Sequence, residues 1–178
     1  MSSAETLARD NARLLEQGLD VLATLDPQAY RKAEPAVAGS TIGGHLRHVL
    51  DHYASFFAGG RRIDYDARAR ELELETSPAA AGERMRGYAA RLRRLALDGT
   101  GDGTGEGTGE RLVKVDTGHP AWSSSCVARE LQFLASHTVH HYALIGVILR
   151  LNGAGVPEAF GVAPSTLRHR AESEPCAR

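Results

Sequence analysis

Two short runs of histidine inside apolar, helix-forming segments constrain this chain more than any other feature of its sequence. GHLRHVLDH carries His45, His48 and His52, and SHTVHH carries His137, His140 and His141, so six of the eight histidines sit in two places. An imidazole among apolar side chains is costly to bury unless its nitrogens find partners. A metal ion is one such partner; backbone or side-chain groups of the core are the alternative.

The periodicity around these runs predicts an all-α chain. Ser2 and Glu5 have capping-box spacing, and Leu7, Leu14, Leu15, Leu22 and Leu25 recur at helical spacing over residues 3–25, with Pro27 as the stop. Residues 31–39 read as a loop. Ser40 or Thr41 caps a second helix, which buries Ile42, Leu46, Val49, Tyr53 and Phe56 on one side and ends at Gly59 and Gly60. The charged stretch 61–76 reads as a loop with room for one helical turn. Ser77 and Pro78 open a third helix that runs to about Leu97. Residues 98–110, DGTGDGTGEGTGE, match no calcium-binding repeat and read as a flexible surface loop. Arg111 to Asp116 alternates at period two and would pair with 121–125 across a Gly118-His-Pro turn as a short hairpin. Ser123 to Ser125 offer caps for a fourth, long helix ending at Leu151, before Asn152 and Gly153. The expected architecture is a four-helix bundle over 1–156 with a short hairpin before the last helix, followed by a polar tail over 157–178. The long connection after the second helix leaves simple up-down topology open.

Composition narrows the function. The 178 residues fit one domain that can bury a core. Lys and Arg total 21 against 22 Asp and Glu, which leaves no basic excess for a nucleic acid. No stretch is apolar enough to span a bilayer, and no signal peptide is seen. The two cysteines, Cys126 and Cys176, form no disulfide framework, so a reducing, cytoplasmic setting is expected. Partners are then a small-molecule substrate or a second copy, since bundles with exposed stripes often dimerise.

Residues four apart on a helix point the same way, so His137 and His141 can grip one ion, and both fall within the stripe of Leu134, Leu144, Ile148 and Leu151. His140 sits on the flank. Catalytic zinc-type sites use three protein ligands, and the second helix is the obvious source of the third. Its helical wheel puts His45 and His52 nearer the apolar side than His48. Glu130 lies two turns before His137 on the same stripe, suited to orienting a ligand or acting as a base, or to a rim ion pair with Arg47 or Arg129. Asp51, Asp64, Tyr65 and Asp66 offer oxygen ligands, against the plainer reading of solvated loop charges. Cys126 is a reactive thiol or a small buried residue. Trp122 and Phe133 pack or wall a pocket.

TIGGHLRHVLDHY (41–53) and ELQFLASHTVHHYALIGVILRLNG (130–153), in this order, resemble the two metal-site segments of the DinB/YfiT-like superfamily of metalloproteins. The resemblance implies a four-helix bundle with a nonstandard connection and a three-histidine site. Carried over by position, its ligands are His48, His137 and His141. The spacing from Thr41 to His48 selects His48, with His45 and His52 in reserve. The implied cofactor is a divalent ion such as zinc, nickel or iron, which neutral imidazoles leave with its full charge. Its implied chemistry is metal-assisted hydrolysis or thiol-dependent transfer in stress or detoxification. Two alternatives stand beside it: a non-catalytic metal-binding stress protein or interaction module with a structural metal, and a metal-free, pH-sensitive histidine core.

Overall fold

The structure is a computed structural model that describes residues 3–97, 111–116, 118 and 121–173. Four long helices dominate it: α1 (Ser3–Thr24), α3 (Ile42–Ala58), α5 (Pro78–Leu97) and α6 (Val127–Leu151). The chain is a helical bundle with a small sheet, as the periodicity predicts. No helix among the described residues is long and apolar enough to cross a membrane.

Caps set the helix bounds where they were expected. The Thr41 hydroxyl accepts from the Gly44 amide at 2.8 Å and opens α3, and Gly59 closes it. The Ser77 hydroxyl accepts from the Ala80 amide at the start of α5. α1 packs on α5 and α6, and α3 closes the ring against the same two helices. The core includes Leu15, Leu50, Met85, Leu92, Leu131, Leu134 and Ile145, all nearly inaccessible. Across its centre the Tyr53 hydroxyl donates to Asn11 Oδ1 at 2.8 Å, while Asn11 Nδ2 donates to the Leu131 carbonyl at 2.9 Å. This buried polar contact joins α1, α3 and α6 in one register.

Several short elements fill the stretches read as loops. α2 (Pro27–Arg31) starts on an Asp26 cap, and a 3-10 turn spans Pro35–Val37. The charged segment after α3 holds β1 (Arg62–Asp64) and α4 (Leu72–Thr76). The expected hairpin is present as β2 (Leu112–Asp116) and β3 (Ser123–Cys126), with Val113 opposite Ser125. β1 joins it in parallel, Ile63 opposite Val115, to give a three-stranded sheet β1-β2-β3. Ser123 to Ser125 thus pair in a strand instead of capping the last helix; Cys126 takes the cap position without a side-chain hydrogen bond. Past 156 the chain is not featureless: Phe160 is buried, stacks on Tyr142 at 4.5 Å, and precedes α7 (Pro164–Ser173). The glycine-rich 98–110 loop, the Ser2 cap, most of the Gly118-His-Pro turn and Cys176 lie outside the described residues.

The sheet positions the two histidine helices. β1 follows the end of α3 after Gly59 and Gly60, and β3 runs directly into the start of α6. The sheet therefore ties the last turn of α3 to the first turn of α6, and the two helices leave it side by side in opposite directions.

Candidate metal centre

Antiparallel packing of α3 and α6 turns the two histidine runs into one ladder of rings. Its rungs, by centroid separation, are His52–His137 at 4.1 Å, His48–His137 at 4.9 Å, His48–His141 at 4.7 Å and His45–His141 at 5.2 Å. Along α6, His137 and His141 are 4.5 Å apart. The rings of His48, His137 and His141 therefore meet in one triangle. His52 leans on the same triangle, and ligand nitrogens of His48, His52 and His137 lie within 4.8 Å of one another, a group that could hold a metal ion. His140 is exposed and touches only the edge, 5.1 Å from His141.

Hydrogen bonds fix where several protons sit. Ser40 Oγ donates its only proton to the Val37 carbonyl at 2.7 Å. Its contact with His45 Nε2 at 3.0 Å therefore requires His45 to donate from Nε2. A neutral His45 then has a bare Nδ1, so in the 3.0 Å contact between His45 Nδ1 and His141 Nδ1 the donor is His141. That leaves the lone pair of His141 on Nε2. Similarly, His52 Nδ1 donates to the His48 carbonyl at 2.9 Å, which bares His52 Nε2. His137 Nε2 is buried with no partner at all. His48 differs: Arg68 Nη1 donates into its Nδ1 at 2.8 Å.

The rings are held neutral. Burial first, then the neighbouring imidazoles, lower His48 to about 4, His137 to about 2 and His141 to about 3. Arg68 and Arg47 add to the effect at His48. His45 and His52 are also lowered, chiefly by burial. Unprotonated imidazoles are the form that ligates metals. An unpartnered buried nitrogen costs about 1–3 kcal/mol; a cation among these rings would remove that cost at His137. The donor set therefore fits a divalent ion of intermediate softness.

Around the ladder, Phe133 packs 5.5 Å from His137 and 5.1 Å from Tyr65, and Tyr65 stacks on His52 at 5.4 Å. Phe133 is thus the aromatic wall. Trp122 lies elsewhere, under the Arg62 guanidinium at 4.4 Å. Glu130 is buried and accepts from Ser125 Oγ at 2.5 Å. Its carboxylate, after burial itself, helps push the Tyr65 phenol up. No hydrogen bond among the described residues joins Glu130 to a histidine, nor does it pair with Arg47. Arg47 instead binds Asp51 at 2.8 Å and Glu75 at 2.9 Å. Asp64 Oδ1 accepts from the amides of Asp66 and Ala67, which holds the loop after β1. On the other side of the ladder an open cavity of about 430 Å³ is lined by Ser40, Thr41, His45, Arg47, His48 and His141.

The helical wheel of α6 puts His137 and His141 inside the apolar stripe. The buried line instead runs through Leu134, Thr138, Tyr142, Ile145 and Leu149; both histidines flank it, and Leu151 is 55% exposed. Flanking positions are what let the rings reach α3 instead of the bundle centre. Sequence reasoning missed Arg68 and the Ser40–His45 chain. Arg68 is one of several arginines in a charged segment, and nothing in the spacing marks it. Ser40 reads from the sequence only as a helix cap.

A sequence model of the DinB family matches residues 1–168. Over 110 residues the chain is 31% identical to a protein of Rhizopus delemar described as FK506-binding protein 5. That match covers 60% of this chain and 27% of the fungal protein, so the chain spans about a quarter of that relative's length. No solved structure matches.

Proposed function

The chain belongs to the DinB family, and from that premise we propose that the histidine ladder binds one divalent metal ion through His48, His137 and His141 and serves an enzyme acting on a small molecule. The observation that carries this reading is the partnerless, buried His137 Nε2 at the centre of rings held neutral. His141 supports it, because its Nε2 lone pair is left bare by the chain through His45 and Ser40. A buried acceptor of this kind, held by a second-layer partner, is how proteins orient metal-ligating imidazoles. His45 is then a positioning residue, with both nitrogens engaged.

Bound there, zinc, nickel or iron would supply Lewis acidity for metal-assisted hydrolysis or thiol-dependent transfer, the chemistry the family resemblance implies. The protein's own part is to hold the rings, exclude water on the Phe133 side and admit substrate through the cavity beside His45 and Arg47. Glu130, tied to Ser125, contributes its charge beside Tyr65, which stacks on His52. Stress or detoxification is the setting we infer, in the cytoplasm and with no nucleic-acid partner. The match spans only about a quarter of the fungal relative, so none of that protein's activity is carried over.

A specific observation favours a second ligand set, His48, His52 and His137: their nitrogens already lie within 4.8 Å of one another. Metal analysis of purified single variants separates the two. About one ion per chain is expected for wild type, with strong loss in His48→Ala, His137→Ala and His141→Ala and retention in His52→Ala. Loss in His52→Ala with retention in His141→Ala selects the second set. Full occupancy in His137→Ala contradicts both.

A further inference from the structure

Charge around the ladder is unevenly answered. Arg47, the other arginine at the site, is neutralised twice, by Asp51 and by Glu75. No ion pair among the described residues involves Arg68. Its Nη1 is spent on His48, and its Nε is buried and meets no acceptor. A half-buried guanidinium among neutral imidazoles lacks the carboxylate it is shaped to grip. The side chain starts from a defined place. Asp64 pins the turn that follows β1, and the Arg68 amide donates to the Asp66 carbonyl at 2.8 Å.

Metal binding would sharpen this imbalance. Arg68 donates into His48 Nδ1, so a neutral His48 carries its proton on Nε2. If the ion takes Nδ1, the Arg68 proton must leave that nitrogen. If it takes Nε2, the proton moves to Nδ1 and faces the guanidinium. Either way Nη1 is released, and the loaded site then combines a divalent ion with a freed arginine that no carboxylate among the described residues pairs with; Asp51, close enough to feel Arg68, is held by Arg47.

We propose that Arg68 is the receptor for the carboxylate group of a small-molecule substrate, made available when the neighbouring histidines bind their metal. This rests on the metal reading above and adds to it the substrate's charge and the residue that reads it. Arg68 has two opposed effects. Without an anion it competes with the metal for His48; with one it turns away from His48, and metal and anion strengthen each other.

The test is zinc affinity, measured by competition with a chromophoric chelator, with and without propionate, and with neutral, similarly shaped propionamide as control. In wild type, propionate should tighten zinc by about tenfold, within the usual range of site-to-site coupling, and propionamide should do nothing. Arg68→Met should bind zinc more tightly than wild type in the absence of anion and lose the propionate effect. Arg68→Lys, which keeps the charge without the fork, should retain part of it. Circular dichroism melts confirm that each variant is folded. An equal propionate effect in wild type and Arg68→Met, or none in wild type, overturns the proposal. If wild type takes up no zinc, the metal reading falls. The carboxylate site is then judged on zinc-free protein, where propionate must shift the Arg68 Nε–H resonance in an NMR titration, and no shift overturns it.

Discussion

His45 separates the roles that a histidine in this ladder can take. It shares a helix with His48 and His52 and touches His141, yet both its nitrogens are engaged, one by Ser40 and one by His141. Removing it leaves every proposed ligand in place and deprives only His141 of its acceptor. His45→Phe is expected to weaken zinc binding by about tenfold or more, in the range found for partners of metal ligands. His45→Asn should restore much of the loss, because its Oδ1 stands where Nδ1 stood. Nitrogen-15 shifts of His141 give a second readout: the Nδ1–H form should dominate in wild type and in His45→Asn and become mixed in His45→Phe. Unchanged affinity and an unchanged tautomer in His45→Phe would remove His45 from the site. None of this is legible in the sequence, where the wheel leaves His45 and His52 as alternatives to the His48 that the family resemblance selects, and where spacing cannot locate a proton.

At the scale of elements, helices that carry caps and a clean apolar stripe were readable, and pairings between distant segments were not. α3 begins and ends where Thr41 and Gly59 put it, and α5 begins where Ser77 and Pro78 put it. β1 was unreadable because three residues with a single buried side chain, Ile63, give no alternation to detect, and its partner lies some fifty residues on. The pair His137 and His141 was legible from spacing alone, whereas the choice among three histidines on α3 depends on how that helix is rotated against α6. One residue helps set that rotation. A Cβ on Gly43 would sit 2.0 Å from the Glu75 carbonyl oxygen and 2.6 Å from the Tyr30 ring, so α3 and α4 approach closely only because it is absent. Gly43→Ala must push α4 away and should destabilise the fold by about 1–3 kcal/mol, the usual cost of overpacking. Gly87→Ala, on an exposed face of α5 with open space at its Cβ, should instead stabilise by up to about 1 kcal/mol, from helix propensity. Thermal melts of the two variants check the contrast; a stabilised Gly43→Ala would mean the α3–α4 contact is looser than described.

For the whole molecule, five clustered imidazoles make stability depend on pH and on metal together. Their pKa values lie below the ordinary 6.5 in the fold. Below about 6.5 the unfolded chain therefore binds protons that the folded chain does not, and stability falls as pH falls. The metal-free protein should melt at progressively lower temperature from pH 7 to pH 5, with a shallower slope in His137→Leu. A melting temperature flat across that window would contradict the burial of these rings. Saturating metal acts the other way: at a hundredfold excess over its dissociation constant it stabilises by about 2.7 kcal/mol. That should raise the midpoint by about 5–10 °C in a domain of this size.

X-ray absorption at the zinc edge of the loaded protein tests the central claim most directly, because it reads the ligands without depending on any substitution. Three imidazole nitrogens at about 2.0–2.1 Å, with the outer-shell scattering of intact rings, are expected. A shell of oxygen donors lacking imidazole scattering, or one reduced to a single ring, would place the ion away from the ladder and contradict the account.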